Sequence, residues 1–123
     1  MKVRPHIMLH GGVAEAAIAL WRRAFPDLEA TPPAPPALLW TLSLGGQVVT
    51  LFDSPTPHDF APTPSWSFMV DLEAAQDVDA AHAVLSEGGH TIMPLDGYDF
   101  ADRFAWVEDA FGISWQLRYG ARA

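Results

Sequence analysis

The sequence predicts an α+β fold built from two βαβββ modules, which form a curved mixed sheet with helices on its convex face. Two amphipathic helix patterns, around Leu20 and Val84, and two glycine turns, at Gly46 and Gly112, recur along the chain. The offset between the copies is roughly 65 residues, which indicates an internal structural repeat. The 123 residues suffice for one domain, with module one at about 1–60 and module two at about 61–123.

The first module begins with a strand and a helix. Residues 3–9 predict a strand because Ile7 and Leu9 alternate with other side chains that face the opposite way. Residues 13–25 are alanine-rich and place apolar side chains at helical spacing, so they predict an amphipathic helix. Pro26 then ends the helix, because proline cannot continue the backbone hydrogen bonding.

A connector and a hairpin complete module one. Residues 31–36 contain four prolines, which cannot pair inside a sheet and predict an exposed, extended connector. Residues 38–44 and 47–53 read as strands that meet across Gly45-Gly46. Two adjacent glycines suit the positive-φ corners of a tight hairpin turn.

The second module repeats this order of elements. Residues 65–71 predict a strand, residues 77–88 an amphipathic helix, and residues 90–93 a further strand. Residues 104–107 belong to the segment that next passes across the sheet. Residues 113–119 form the last strand, with Trp115, Leu117 and Tyr119 on one face and Ser114, Gln116 and Arg118 on the other.

Composition excludes several classes of function. Fifteen acidic and seven basic residues give a net charge of −8, so nucleic acid and anionic membranes are not expected partners. The chain has no cysteine, which excludes disulfides and thiolate chemistry. We find no run of about 18 apolar residues, no phosphate-binding loop and no serine-hydrolase elbow. These observations predict a cytoplasmic protein.

The C-terminal third carries the most specific motif. Met93-Pro94-Leu95-Asp96 is followed by an aromatic-rich segment, then by Asp109-Ala110-Phe111-Gly112 and by Trp115-Gln116-Leu117. The Asp and Gly of the second motif are typical turn residues between two strands. The whole segment resembles the PhnB-like branch of the vicinal oxygen chelate superfamily, which also includes glyoxalase I and the bleomycin-resistance proteins.

The resemblance implies a ligand in the concave face of the sheet and a homodimer. In metal-using relatives, four ligands project from equivalent strands, and the pattern carries over to His6, Thr50, Ser65 and Gln116. Only His6 is a strong metal donor, and no carboxylate balances a cation's charge at these positions. We therefore expect no essential metal; a divalent cation held by His6 and Gln116 is the alternative.

The sequence therefore predicts a small-molecule binding protein without an essential metal. The alternatives are a metal-assisted lyase, isomerase or dioxygenase acting on vicinal oxygens, and a non-catalytic dimeric interaction protein. A methyltransferase label is common in the family, but the chain lacks the larger α/β domain with a glycine-rich turn that such enzymes usually have. The expected ligand-binding residues are His6, Met8, Thr50, Phe52, Asp53, Ser65, Ser67, Trp106 and Gln116.

Overall fold

The structure is a computed structural model that describes residues 1–122. The chain divides into two compact units, Met1–Phe60 and Ala61–Ala123. Each unit has the element order βαβββ, as the repeat in the sequence predicts. The α+β class and the two modules are confirmed, and each module carries its own four-stranded sheet.

Unit one contains one helix and four strands. The elements are β1 (His6–His10), α1 (Ala14–Ala24), β2 (Glu29–Thr31), β3 (Trp40–Leu44) and β4 (Gln47–Ser54). The strand order is β1-β4-β3-β2, with β1 parallel to β4 and the other pairs antiparallel.

Unit two has the same topology. Its elements are β5 (Phe68–Asp71), α2 (Ala75–Leu85), β6 (His90–Tyr98), β7 (Ala101–Glu108) and β8 (Ser114–Ala121). The strand order is β5-β8-β7-β6, and again the first strand is parallel to the last while the other pairs are antiparallel.

Both predicted glycine turns are confirmed. Leu44 pairs with Gln47, and Gly45 and Gly46 between them have φ values of 57° and 82°, the conformation of a tight two-residue hairpin. Between β7 and β8, the Gly112 N–H bonds the Asp109 carbonyl at 3.0 Å, with φ 84° at the glycine.

Two predicted strands begin later than expected. The first starts at His6 rather than at residue 3. The strand predicted from Ser65 starts at Phe68, because Pro64 and Ser65 lie in a turn closed by the Trp66 N–H on the Thr63 carbonyl at 3.3 Å. Proline favours the second position of such a turn.

Two edge strands also differ from the prediction. β2, only three residues long, was missed; it overlaps the start of the predicted proline-rich connector and pairs with β3. β6 continues past Met93 through Pro94 to Tyr98, with three register shifts against β7. It is an edge strand, where a residue without an N–H is tolerated.

One face of each sheet carries the helix. In unit one, the α1 side chains Ala17, Ile18 and Trp21 are buried, as are Ile7, Leu9, Val49 and Leu51 of β1 and β4. In unit two, Val78, Ala81 and Leu85 of α2 are buried, as are Ala105, Val107, Trp115 and Leu117 of β7 and β8. Because strand side chains alternate, the intervening residues lie on the opposite surface, which we call the helix-free face.

Candidate functional site

The helix-free face of unit one carries four of the expected ligand-binding residues. His6 is the Cα partner of Thr50 in the parallel pair β1/β4, and Met8 is the partner of Phe52. Partners in register point to the same side of a sheet. His6 Nδ1 and Thr50 Oγ1 form a 2.7 Å hydrogen bond, with Thr50 buried and the imidazole exposed. This bond fixes one edge of the ring and leaves the other toward solvent.

The helix-free face of unit two carries a connected hydrogen-bond network. Trp106 Nε1 donates to Ser114 Oγ at 2.8 Å, and Ser114 Oγ lies 2.5 Å from Ser67 Oγ. Gln116 Nε2 donates to the same Ser67 oxygen at 3.3 Å. Ser114 is buried, whereas Ser67, Trp106 and Gln116 are half-buried. The network therefore extends from the interior of the sheet to its surface.

The register of the strands brings the network together. On β8, Gln116 lies between Met69 of β5 and Trp106 of β7, its Cα partners on either side. Ser67 directly precedes β5, and its side chain points to the same face as that of Met69, two residues further on. Met69 is 48% exposed, so an accessible apolar side chain flanks the polar groups.

Ser65 does not join this network. It lies in the turn before β5, is exposed, and its hydroxyl bonds Thr63 Oγ1 at 2.7 Å. The expected placement of Ser65 on a strand beside Gln116 is wrong, because the turn at Pro64 delays the start of β5. Ser67 is the hydroxyl that reaches Gln116.

Asp53 has a structural role that the sequence did not reveal. Its side chain lies on the helix side of β4, where Oδ1 accepts the Gly12 N–H at 3.1 Å and Oδ2 the Ala14 N–H at 2.9 Å. A carboxylate at this point satisfies free N–H groups at the start of α1 and is favoured by the helix dipole. Both oxygens are thus engaged away from the face that carries His6 and Thr50.

Ser114 is a candidate site residue that the sequence-based set missed. The alternation of β8 already placed it on the same face as Gln116, so a signal existed. Its buried position and its bonds to Trp106 and Ser67 depend on strand pairing across 8 and 47 residues.

The charged groups around the network are acidic or already paired. Glu108 is the Cα partner of Ser114 on the same face. Arg118 is bound by Asp71 through two bonds of 2.8 and 3.1 Å. An anionic ligand would therefore meet a carboxylate and no unpaired arginine on this face among the described residues.

The donor set does not fit a firmly held divalent cation. Unit one offers one imidazole and a hydroxyl, and unit two offers a hydroxyl and a primary amide. Hydroxyls and amides compete weakly with water for such ions, and no carboxylate is among them. Within residues 1–122, no three His, Asp or Glu side chains are grouped in a way that could hold a metal ion.

Two further histidines, His10 and His58, lie close together at the end of β1 and β4. His58 Nε2 bonds the buried Ser54 Oγ at 3.1 Å and stacks on Phe60 with ring centroids 4.8 Å apart. His10 approaches His58 edge-on at 6.0 Å. The serine also bonds the backbone of Thr56, so it holds the loop that follows β4.

Two shifted pKa values belong to unit two, away from the network. Burial lowers the pKa of His82 on α2, and the Asp79 carboxylate partly offsets that effect. The side-chain hydrogen bond that Arg103 donates to the Asp79 carboxylate raises the pKa of Arg103. His82 Nε2 lies 2.8 Å from Thr91 Oγ1 of β6, so these groups tie α2 to the sheet.

Neither α1 nor α2, the helices of the described residues, has the length and apolar character needed to cross a lipid bilayer.

Comparisons with known proteins agree with this architecture. The profile of the 3-demethylubiquinone-9 3-methyltransferase family matches residues 1–118. A PhnB protein from Bacillus cereus is 29% identical, with a TM-score of 0.85 over 97% of this chain and 99% of that chain. No curated protein matches the sequence.

More distant structures share the fold alone. The fosfomycin resistance protein FosX from Listeria monocytogenes has a TM-score of 0.70 at 9% identity, over 98% of this chain and 91% of its own. A glyoxalase/bleomycin resistance protein from Albidiferax ferrireducens has a TM-score of 0.64 at 14% identity, over 94% and 96%.

Proposed function

The chain belongs to the 3-demethylubiquinone-9 3-methyltransferase (PhnB-like) family of the vicinal oxygen chelate superfamily, and from this membership we propose that it binds small organic molecules on the helix-free face of each unit. No essential metal takes part in this binding. The observation that carries the proposal is the network of Trp106, Ser114, Ser67 and Gln116.

This network is suited to binding because it is anchored at one end and open at the other. Buried polar groups need partners, and Ser114 finds them in Trp106 and Ser67. Gln116 is half-buried, and its side-chain carbonyl makes no hydrogen bond within the described residues. A few fixed polar groups beside apolar side chains are typical of small-molecule sites.

His6 supplies a second polar group of the same kind. Its imidazole is exposed, and the bond from Nδ1 to Thr50 restricts rotation of the ring. A side chain held in one orientation loses less entropy when it binds a ligand. We therefore include His6, with its neighbours Met8 and Phe52, as binding residues of unit one.

Methyl transfer is the competing function, since the family carries that name. The turn between β1 and α1 contains Gly11 and Gly12, the place where a glycine-rich loop would present free N–H groups to a cofactor. Here Asp53 already accepts the N–H groups of Gly12 and Ala14. This arrangement favours ligand binding without S-adenosylmethionine.

The test is a thermal-shift screen of the purified protein against neutral and cationic hydrophobic compounds, followed by equilibrium dialysis of the hits. We expect hits whose affinity falls by about tenfold or more in His6→Ala or Gln116→Ala, the effect of one lost hydrogen bond in a site. Gln47→Ala is the matched control, since Gln47 is an exposed glutamine on β4 whose side chain, among the described residues, bonds only the Val48 carbonyl.

Three results would contradict the proposal. One is a screen without any binder. Another is an equal loss of affinity in Gln47→Ala. The third is saturable binding of S-adenosylmethionine together with methyl transfer to an acceptor, which would support the competing function instead.

A further inference from the structure

The hydrogen-bond directions in unit two identify the chemical class of the ligand, an inference that rests on the proposed binding function. An indole N–H can only donate, so Ser114 Oγ accepts from Trp106. Within the described residues, the one other side-chain partner of Ser114 is Ser67 Oγ. Because Ser114 is 2% exposed, its own hydroxyl hydrogen must be satisfied inside the protein, and it therefore donates to Ser67.

Ser67 Oγ accepts twice in this arrangement. It receives the hydroxyl of Ser114 and the side-chain amide N–H of Gln116, which use its two lone pairs. Its own hydrogen is then free to donate, and no acceptor for it occurs among the described residues. Ser67 is half-buried, so this hydrogen is directed to the accessible side of the network.

The amide of Gln116 provides the complementary group. Its nitrogen is committed to Ser67, while its carbonyl oxygen is an unused acceptor. The surface thus presents one O–H donor and one C=O acceptor on neighbouring side chains, with Ser67 Oγ and Gln116 Nε2 only 3.3 Å apart.

We propose that this pair binds an uncharged carboxamide or lactam, with Ser67 donating to the ligand carbonyl and Gln116 accepting the ligand N–H. An amide carries its acceptor and its donor on one carbon, which matches a donor and an acceptor on two side chains that are hydrogen-bonded to each other. A negatively charged ligand is disfavoured because Glu108 opposes Ser114 in the sheet and Arg118 is paired with Asp71. An apolar substituent fits beside Met69, which is 48% exposed next to Gln116.

The experiment uses four phenyl probes in saturation-transfer NMR titrations of the full chain. Benzamide has both groups, acetophenone has only the carbonyl, aniline has only the N–H, and benzoate is charged. We expect benzamide to bind about tenfold more tightly than each of the other three, since each lacks one hydrogen bond or adds a charge.

Variants assign each contact. Ser67→Ala removes the donor to the ligand carbonyl. Benzamide should then bind no more tightly than aniline, which has no carbonyl, but should still bind more tightly than acetophenone, which has no N–H. Gln116→Leu removes the acceptor for the ligand N–H. Benzamide should then bind no more tightly than acetophenone, but should still bind more tightly than aniline. Ser67→Thr keeps the hydroxyl and should retain the wild-type preferences, with circular dichroism checking the fold of every variant.

The outcomes separate this inference from the proposed function. If benzamide binds no better than the other probes, the amide assignment is wrong. It is also wrong if Ser67→Ala still binds benzamide more tightly than aniline. If none of the four probes binds while other compounds from the screen do, the assignment is also wrong and the binding function stands. If neither the probes nor the screen gives a binder, both proposals are refuted.

Discussion

Two neighbouring residues of β8, Trp115 and Gln116, should respond in opposite ways to truncation. Trp115 is 1% exposed on the helix side, its ring stacks on Phe68 at a centroid distance of 4.9 Å, and its Nε1 donates to Asp109 Oδ2 at 2.9 Å. Gln116 is half-buried on the helix-free face and donates one hydrogen bond of 3.3 Å. Truncating the first removes core, and truncating the second removes a surface polar group.

The magnitudes follow from these contacts. Trp115→Ala loses a large buried aromatic, which typically costs about 3–5 kcal/mol of unfolding free energy. Removing the indole N–H from the buried Asp109 carboxylate adds about 1–3 kcal/mol. The sum is comparable to the whole stability of a small domain, about 5–15 kcal/mol. Gln116→Ala should cost less than about 1 kcal/mol, because its one bond lies at the surface.

Urea denaturation followed by far-UV circular dichroism measures both changes. Trp115→Phe is the matched control, since it keeps an aromatic ring against Phe68 and loses the N–H; it should cost about 1–3 kcal/mol, between the other two variants. Ligand binding should fall in Gln116→Ala and persist in Trp115→Phe. If Gln116→Ala is the more destabilising of the two alanine variants, the assignment of the strand faces is wrong and the proposed site is refuted with it.

Three further predictions concern other parts of the chain. Asp53→Ala should destabilise the protein by about 1 kcal/mol in the same urea assay, because two N–H groups at the start of α1 lose their acceptor; an unchanged midpoint would contradict the capping role. Burial lowers the pKa of His82 in the folded state, so folding favours the neutral imidazole. The contribution of His82 to the free energy of unfolding is therefore present above the ordinary pKa of 6.5 and is lost as the pH falls through the pKa of the folded state. His82→Gln should flatten this part of the pH dependence of the urea midpoint, and an identical pH profile in the variant would show that other groups cause it. Light scattering at micromolar concentration should report a homodimer of about 27 kDa, twice the 13.4 kDa chain, because exposed apolar side chains such as Trp66 and Phe100 favour association; a 13.4 kDa particle would refute this.

Local patterns in the sequence identified most of the fold. Gly45 and Gly46 placed the hairpin, since both adopt the positive φ that a two-residue turn requires. The alternation of Trp115 and Gln116 assigned the faces of β8, because side chains of a strand alternate regardless of what they contact. The strand starts were less secure, as Ser65 shows: proline turns act over a few residues, and the pattern of apolar side chains does not reveal where pairing begins.

The candidate site depended far more on tertiary structure. The sequence already named His6, Thr50, Ser67, Trp106 and Gln116, yet it gave no indication of which of them are bonded to each other. His6 meets Thr50 across 44 residues, and Ser67 meets Ser114 across 47. Contacts at such separations arise from the pairing of parallel strands, whose register no local pattern specifies.

Asp53 shows most clearly what the sequence determines and what only the tertiary structure determines. From the sequence it is a polar residue at the end of a strand, equally suited to bind a ligand or to accept backbone N–H groups. The structure decides for the second, because the parallel pairing of β1 with β4 brings the start of α1 to within 3.1 Å of the carboxylate, 41 residues away in the chain. The sequence thus determined what each segment can form, and the tertiary structure determined which polar groups are already satisfied and which remain free to bind.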